Sequence, residues 1–154
     1  MGFLFALLAI LGFGIQLNRS VKWQIESSLL FVSSSLICLL YFSGLVGVLQ
    51  IVALVSIGIG LLLFSTGIFS LYRSGEVSQI FTPGLIFFLV SIVGLWIVTS
   101  SQYYSTFLFV DDFSHWGRAS QIIVNYNRFL IPTDQVWTLN YAPTMALFDY
   151  LFFQ

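Results

Sequence analysis

The stretch LVGVLQIVALVSIGIGLLLFSTGIFSL, residues 45–71, runs for 27 residues without one charged side chain. As an α-helix it measures roughly 40 Å, longer than the roughly 30 Å hydrocarbon core of a bilayer. It is therefore expected to cross a membrane with a tilt or a kink. The rest of the chain has the same character. Of its 154 residues, 58% are hydrophobic and 7% charged, with a mean hydropathy of +0.99. An ordinary soluble domain carries about 25% charged residues. A water-soluble fold of this composition would lack a polar surface, so lipid is the expected solvent for most of the chain.

On the N-terminal side of this stretch, apolar segments at 2–17 and 25–42 flank a short polar loop carrying Arg19 and Lys22. Trp23 then stands where an interfacial aromatic belongs. Glu26 sits near the wet end of the second segment, and the run Ser33-Ser34-Ser35 is tolerable there because serine bonds back to the preceding turn. Ser43-Gly44 is the expected turn into residues 45–71. On the C-terminal side, Arg73-Ser74-Gly75-Glu76 is a polar break, and Pro83 suits the first turn of a fourth segment at 84–101. Tyr103-Tyr104 follows as an aromatic belt. Small residues four apart, Ser43 with Gly47 and Ser56 with Gly60, suit close helix approach, although most such spacings in glycine-rich membrane helices are incidental.

The expected architecture is all-α and polytopic, with four transmembrane helices, an interfacial amphipathic helix and the start of a fifth span. It divides into residues 1–82, with three spans, and residues 83–154. The last apolar stretch, 142–153, covers only about 20 Å as a helix and contains Asp149. It reads as a span that is cut off, so the chain is expected to be an N-terminal fragment of a longer protein. Arg19, Lys22 and Arg73 fall in loops separated by two spans, and the positive-inside rule makes their side cytoplasmic. The N-terminus is then outside. The apolar start has no preceding cations and no small-residue cleavage site, so it reads as a retained segment. Ala6 stands where a myristoylation motif wants Ser or Thr.

Several function classes drop out. A net charge of −1 and the lack of a basic run give nucleic acid nothing to bind. The single cysteine, Cys38, has no partner for a disulfide and reads as a small packing residue. Neither a P-loop, nor G-x-G-x-x-G, nor G-x-S-x-G occurs. A transporter reading is disfavoured because the spans hold almost no charge.

The only cluster of ionisable residues is DDFSHWGRASQIIVNYNRFL, residues 111–130. Read as a helix, Phe113, Trp116, Ala119, Ile123 and Leu130 fall on one side, and Asp111, His115, Arg118 and Asn125 on the other. Such a helix lies on the membrane surface. The Asp111-Asp112 pair reads either as a helix start, capping amides and meeting the dipole, or as a general base or metal ligand. Adjacent helical residues point about 100° apart, so the two carboxylates do not share a proton. His115, four residues after Asp111, reads first as a locally bonded interfacial histidine; one His and one Asp are too few for zinc. Arg118 suits a phosphate oxygen through its guanidinium fork, or equally an ion pair with Asp111 or a lipid headgroup. Arg128 reads as structural, complementing the helix dipole.

An apolar segment, then Asp111-Asp112-Phe113-Ser114-His115-Trp116, a helix to Asn127, Ile131-Pro132 and Tyr141-Ala142-Pro143-Thr144 resembles the start of GT-C glycosyltransferases. These use polyprenyl-phosphate sugars; protein O-mannosyltransferases and the lipid A aminoarabinose transferase are examples. The resemblance runs from about Gly84 onward. It implies transfer of a sugar from a polyprenyl-phosphate carrier to an acceptor hydroxyl on the extracytoplasmic face of a bacterial plasma membrane. It gives Asp111 and Asp112 the catalytic role, as base and partner or as ligands for a divalent metal ion, and makes His115, Arg118 and Tyr141 contacts to substrate. The residues themselves name no cofactor. In the family the acidic pair follows the first span, whereas here more segments precede it, and only one proline of a Tyr-Pro-Pro-like motif is kept. Such a fragment is expected to be inactive alone. The alternative is a non-enzymatic subunit or scaffold of an envelope-polysaccharide system, with the acidic pair as a cap.

Overall fold

The structure, a computed structural model, describes residues 2–103 and 116–131 together with Asp134, Leu147, Tyr150 and Leu151. These are largely helical and include no strand. In order they form α1 (Gly2–Val21), α2 (Ile25–Val46), α3 (Leu49–Ser74), a single turn α4 (Val77–Ile80), α5 (Pro83–Tyr103) and α6 (Trp116–Tyr126).

Helices α1, α2 and α3 are each long and apolar enough to cross a membrane. On α3 only 22% of the apolar window is buried, and Ile51, Leu62 and Phe69 are all at least 65% exposed. So wide an apolar surface is incompatible with water and fits lipid. The fourth span expected at 84–101 is helical as part of α5, whose shorter apolar stretch Pro83–Gly94 lies among the described side chains.

The bundle is built on the α1–α3 crossing. Lipid tails are as apolar as the side chains facing them, so helices associate in a bilayer through packing, and small residues let backbones meet. The buried face of α3 reads Leu49, Ala53, Ser56, Gly60, Gly67 and Leu71. That of α1 includes Ala6, Ala9, Gly12 and Ile15. A Cβ placed on Gly12 would overlap the Gly60 carbonyl oxygen, and one on Gly60 would stand 2.7 Å from the Ala9 Cα. Gly67 in turn meets Ile15. The contacts advance together along both helices, so α1 and α3 run parallel, with α2 antiparallel beside them and Leu29 filling the space over Gly14. Ser56 and Gly60, whose spacing alone has little weight, belong to this interface. Ser43 and Gly47 do not.

The turn expected at Ser43-Gly44 lies three residues later. The Ser43 hydroxyl donates to the Leu40 carbonyl at 2.8 Å, so it fits inside the helix. Gly47, at φ 79°, ends α2 instead. Its N–H donates to Gly44 O at 3.3 Å and the Val48 N–H to Ser43 O at 2.9 Å, a Schellman closure. Gly75, at φ 73°, ends α3 the same way through Tyr72 and Leu71, as the polar break led one to expect. Helix α1 continues past its apolar part to Val21, and Lys22 stops it in the left-handed region at φ 59°. The Asn18 side chain then donates to the Trp23 carbonyl. Ser34 bonds back to Leu30 O at 2.9 Å, as expected for the serine run. Cys38 is exposed on the outer surface of α2, so it is not the packing residue expected.

Pro83 opens α5 as expected. Thr82 caps it: the Leu85 N–H donates to Thr82 Oγ1 at 3.1 Å. The Thr82 hydroxyl donates in turn to the Glu26 carboxylate, which lies against Gly84 and so joins the starts of α2 and α5. The ends carrying Arg19, Lys22 and Arg73 therefore share one face of the bundle with the start of α5.

Two glycines on α3 separate packing from composition. Gly60→Val should lower the thermal midpoint of the detergent-solubilised protein, a loss on the order of 1–3 kcal/mol for overpacking. Gly58→Val, where an added Cβ has nothing within 4 Å, should be nearly silent in the same melting experiment.

Candidate functional site

The sequence places the chemistry in residues 111–130. Of the residues named there, Arg118 lies in the first turns of α6, and its side chain is not among those described. Asp111, Asp112, His115 and Tyr141 lie outside the described residues. The structure does describe the platform that carries α6.

Helix α6 is amphipathic as expected. Ile123, assigned to the apolar face, is fully buried with Ile122 beside it, and Asn125, assigned to the wet face, is exposed. Leu130 does not belong to this helix. Asn127 ends it at φ 53°, a conformation asparagine tolerates, with its N–H donating to Ile123 O at 2.9 Å. The Asn127 side chain is used as well. Its Oδ1 accepts from the hydroxyl of Tyr150 at 2.6 Å, and the Tyr150 side chain is completely buried with Leu147 and Leu151. A buried phenol needs such a partner.

The turn after α6 is held by a clamp that sequence reading missed. Arg128 meets Asp134 through two parallel bonds of 2.8 Å, the geometry for which a guanidinium fork is suited. Asp134 also accepts from the Ile131 N–H at 2.7 Å, and its own N–H returns to Ile131 O at 2.9 Å. Arg128 further donates to Phe129 O at 2.8 Å and stands over the Tyr126 ring, 5.4 Å from its centre. The bonds from Asp134 hold the guanidinium above its ordinary pKa, so it stays charged. Arg128 is structural, as expected, but through this ion pair.

Phe129, the residue the clamp presents, docks on the end of α2. Its ring lies 5.7 Å from that of Tyr41, and a Cβ on Gly44 would overlap its edge. Gly44, expected to be a turn residue, is therefore the seat of Phe129. This fixes α6 at the bundle end opposite Arg19, Lys22 and Arg73.

A second polar group lies at that opposite end. Asn18, Gln24, Ile25, Glu26 and Thr82 line a cavity of about 400 Å³. The Glu26 carboxylate stands near the α5 N-terminus, where a negative charge is favoured by the helix dipole. Its polar atoms are engaged in joining helices, and this accounts for the cavity's polar lining. Among the described residues no group of three or more His, Cys, Asp or Glu side chains is placed to hold a metal ion.

Set against known proteins, the chain matches no family model, no curated protein and no solved structure. The platform can be tested on its own geometry. Gly44→Val should displace Phe129, and Asp134→Asn should open the clamp. Both should speed hydrogen exchange across residues 121–131, while residues 49–74 exchange as in the wild type. Unchanged exchange at 121–131 in both variants would mean that the docking does not hold α6.

Proposed function

We propose that this chain contributes to a membrane glycosyltransferase that moves a sugar from a polyprenyl-phosphate carrier to an acceptor hydroxyl on the extracytoplasmic side. One observation supports the reading above others. The amphipathic helix that follows the Asp-Asp-Phe-Ser-His text is anchored by Phe129 and the Arg128–Asp134 clamp at the bundle end opposite Arg19, Lys22 and Arg73. With α5 as a fourth span, the positive-inside rule puts that end outside the cytoplasm, beside lipid headgroups.

In this reading Asp111 takes the proton of the acceptor hydroxyl as its oxygen bonds to the sugar's anomeric carbon. The bond from that carbon to the carrier phosphate breaks, and the polyprenyl phosphate leaves. A general base of this kind contributes about 10²–10⁴-fold in rate. Asp112 supports the base, and His115, Arg118 and Tyr141 contact the substrates, with Arg118 suited to the phosphate that accumulates charge.

Two measurements test this. Membranes from cells carrying Asp111→Asn in the whole transferase to which this chain contributes should lose sugar transfer from a polyprenyl-phosphate donor by about a hundredfold or more, at unchanged protein level. Transfer at the wild-type rate would return Asp111 to a capping role. For topology, single cysteines at Ser20, Gly47 and Ser74 in a Cys38→Ser background should divide cleanly. Gly47→Cys should react with an impermeant maleimide in intact cells, and the other two only after permeabilisation. The reverse pattern would put the acidic pair in the cytoplasm and end the proposal.

A further inference from the structure

One described cavity serves neither the α6 platform nor the Glu26–Thr82 junction. It is a cleft of about 470 Å³ between α1, α2 and α3. That volume is within the usual range for small-ligand sites. Its walls are mostly apolar, with Phe13, Val32, Leu36, Leu39 and Ile59 among them and Ser35 and Ser56 between. On α2 the walls run from Phe31 to Leu39, which is about 12 Å along the helix axis. The cleft exists because the α1–α3 crossing is narrow. Gly12 and Gly60 draw those two helices together, and α2, packed on α1 by Leu29 over Gly14, does not close against α3 along the same length.

One end of the cleft is polar. Gln16 and Ser20 line it on α1, one helical turn apart. Arg19 and Lys22 stand at this same end of α1, and both are exposed. Among the described residues neither has an acidic partner. The acids nearby are otherwise engaged, Glu26 with Thr82 and Glu76 with Ser74, and neither lines the cleft. An apolar slot that reaches the cationic end of a span matches a molecule with a hydrocarbon tail and a negative head. The bilayer supplies such molecules at that depth.

We propose that the cleft between α1, α2 and α3 binds one acyl chain of an anionic glycerophospholipid, with its headgroup held by Arg19 and Lys22. This site is at the opposite end of the bundle from the Phe129 docking point and does not depend on the transferase reading. The chain seats against Phe13, Leu36 and Ile59, and Gln16 and Ser20 meet the ester region. A lipid held there fills the gap beside the α1–α3 crossing and braces the three helices.

The test is native mass spectrometry of the full chain released from detergent after incubation with phosphatidylglycerol or phosphatidylcholine of matched acyl chains. Wild-type protein should retain phosphatidylglycerol over phosphatidylcholine, by about fivefold for each cation that meets the headgroup. Ser35→Trp places bulk into the cleft from an exposed position, and should remove retention of both lipids. Leu62→Trp, on the outer face of α3 and away from the cleft, should retain phosphatidylglycerol like the wild type. The Arg19→Gln, Lys22→Gln double variant should lose the preference for phosphatidylglycerol while keeping phosphatidylcholine binding. Equal retention of the two lipids by the wild type would overturn the headgroup assignment. Undiminished retention by a folded Ser35→Trp protein, judged by an unchanged melting midpoint, would overturn the cleft assignment.

Discussion

The contact on which the rest of this structure depends is the approach of two backbones, Gly12 on α1 and Gly60 on α3. Hydrophobic burial cannot hold these helices together, since the bilayer offers the same apolar surroundings to a helix alone as to one in a bundle. Association has to come from dispersion contacts, which act only at close range. The Gly60 carbonyl fills the space where a Gly12 side chain would be, so the backbones themselves are the packing surface. Ala9 and Ile15 carry the contact up and down from this point and set the register in which α1 and α3 lie parallel. Helix α2 then fits alongside through Leu29 over Gly14, and both α5 and the turn after α6 are joined to α2. At one end Glu26 and Thr82 tie in α5; at the other, Gly44 receives Phe129.

This arrangement gives the two ends of the bundle different characters. One end collects Arg19, Lys22 and Arg73, the polar junction at Glu26 and the Gln16–Ser20 end of the apolar cleft. The other carries α6, held by a turn that is satisfied within itself: Arg128 on Asp134, and Asp134 on the Ile131 amide. Local closure of that turn leaves Phe129 free to act as the plug, and Tyr150 secures the helix end from a separate part of the chain. A helix docked in this way holds one position relative to the bundle. The transferase reading needs that property, and a purely structural cap would not.

Much of this is legible in the sequence, for identifiable reasons. Long uncharged runs mark spans whatever their partners are, so the membrane-crossing character of α1, α2 and α3 can be read directly, although no charge marks the boundary between α2 and α3. Pro83 and Gly75 act through the backbone alone, and both stand where their conformations require. The failures have the opposite cause. Ser43-Gly44 looks like a turn only while Phe129 is out of view, and the true stop at Gly47 depends on a left-handed φ that neighbouring small residues could equally have supplied. Gly12 and Gly60 carry no local signal of contact, because the pairing of α1 with α3 across an intervening helix is a tertiary fact. The Arg128–Asp134 pair spans six positions through a proline-containing loop, outside any helical spacing rule. Composition puts Cys38 in the core, although in lipid an apolar residue is equally at home on the outer face. For the candidate site, the order Asp111, Asp112, His115, Arg118 is readable as text, whereas the docking of α6 through Phe129 is not.

The central claim, a parallel α1–α3 crossing in one register, is open to direct measurement in the native membrane. A Cβ on Gly67 would stand 3.6 Å from the Ile15 Cβ, within the roughly 3.5–4.5 Å that a disulfide requires. In a Cys38→Ser background, Ile15→Cys with Gly67→Cys should therefore cross-link within one chain under mild oxidation. Ile15→Cys with Leu62→Cys, whose second position faces outward, should not. Cross-linking of the second pair in preference to the first would mean that α1 and α3 meet on other faces, and the crossing at Gly12 and Gly60 would be wrong.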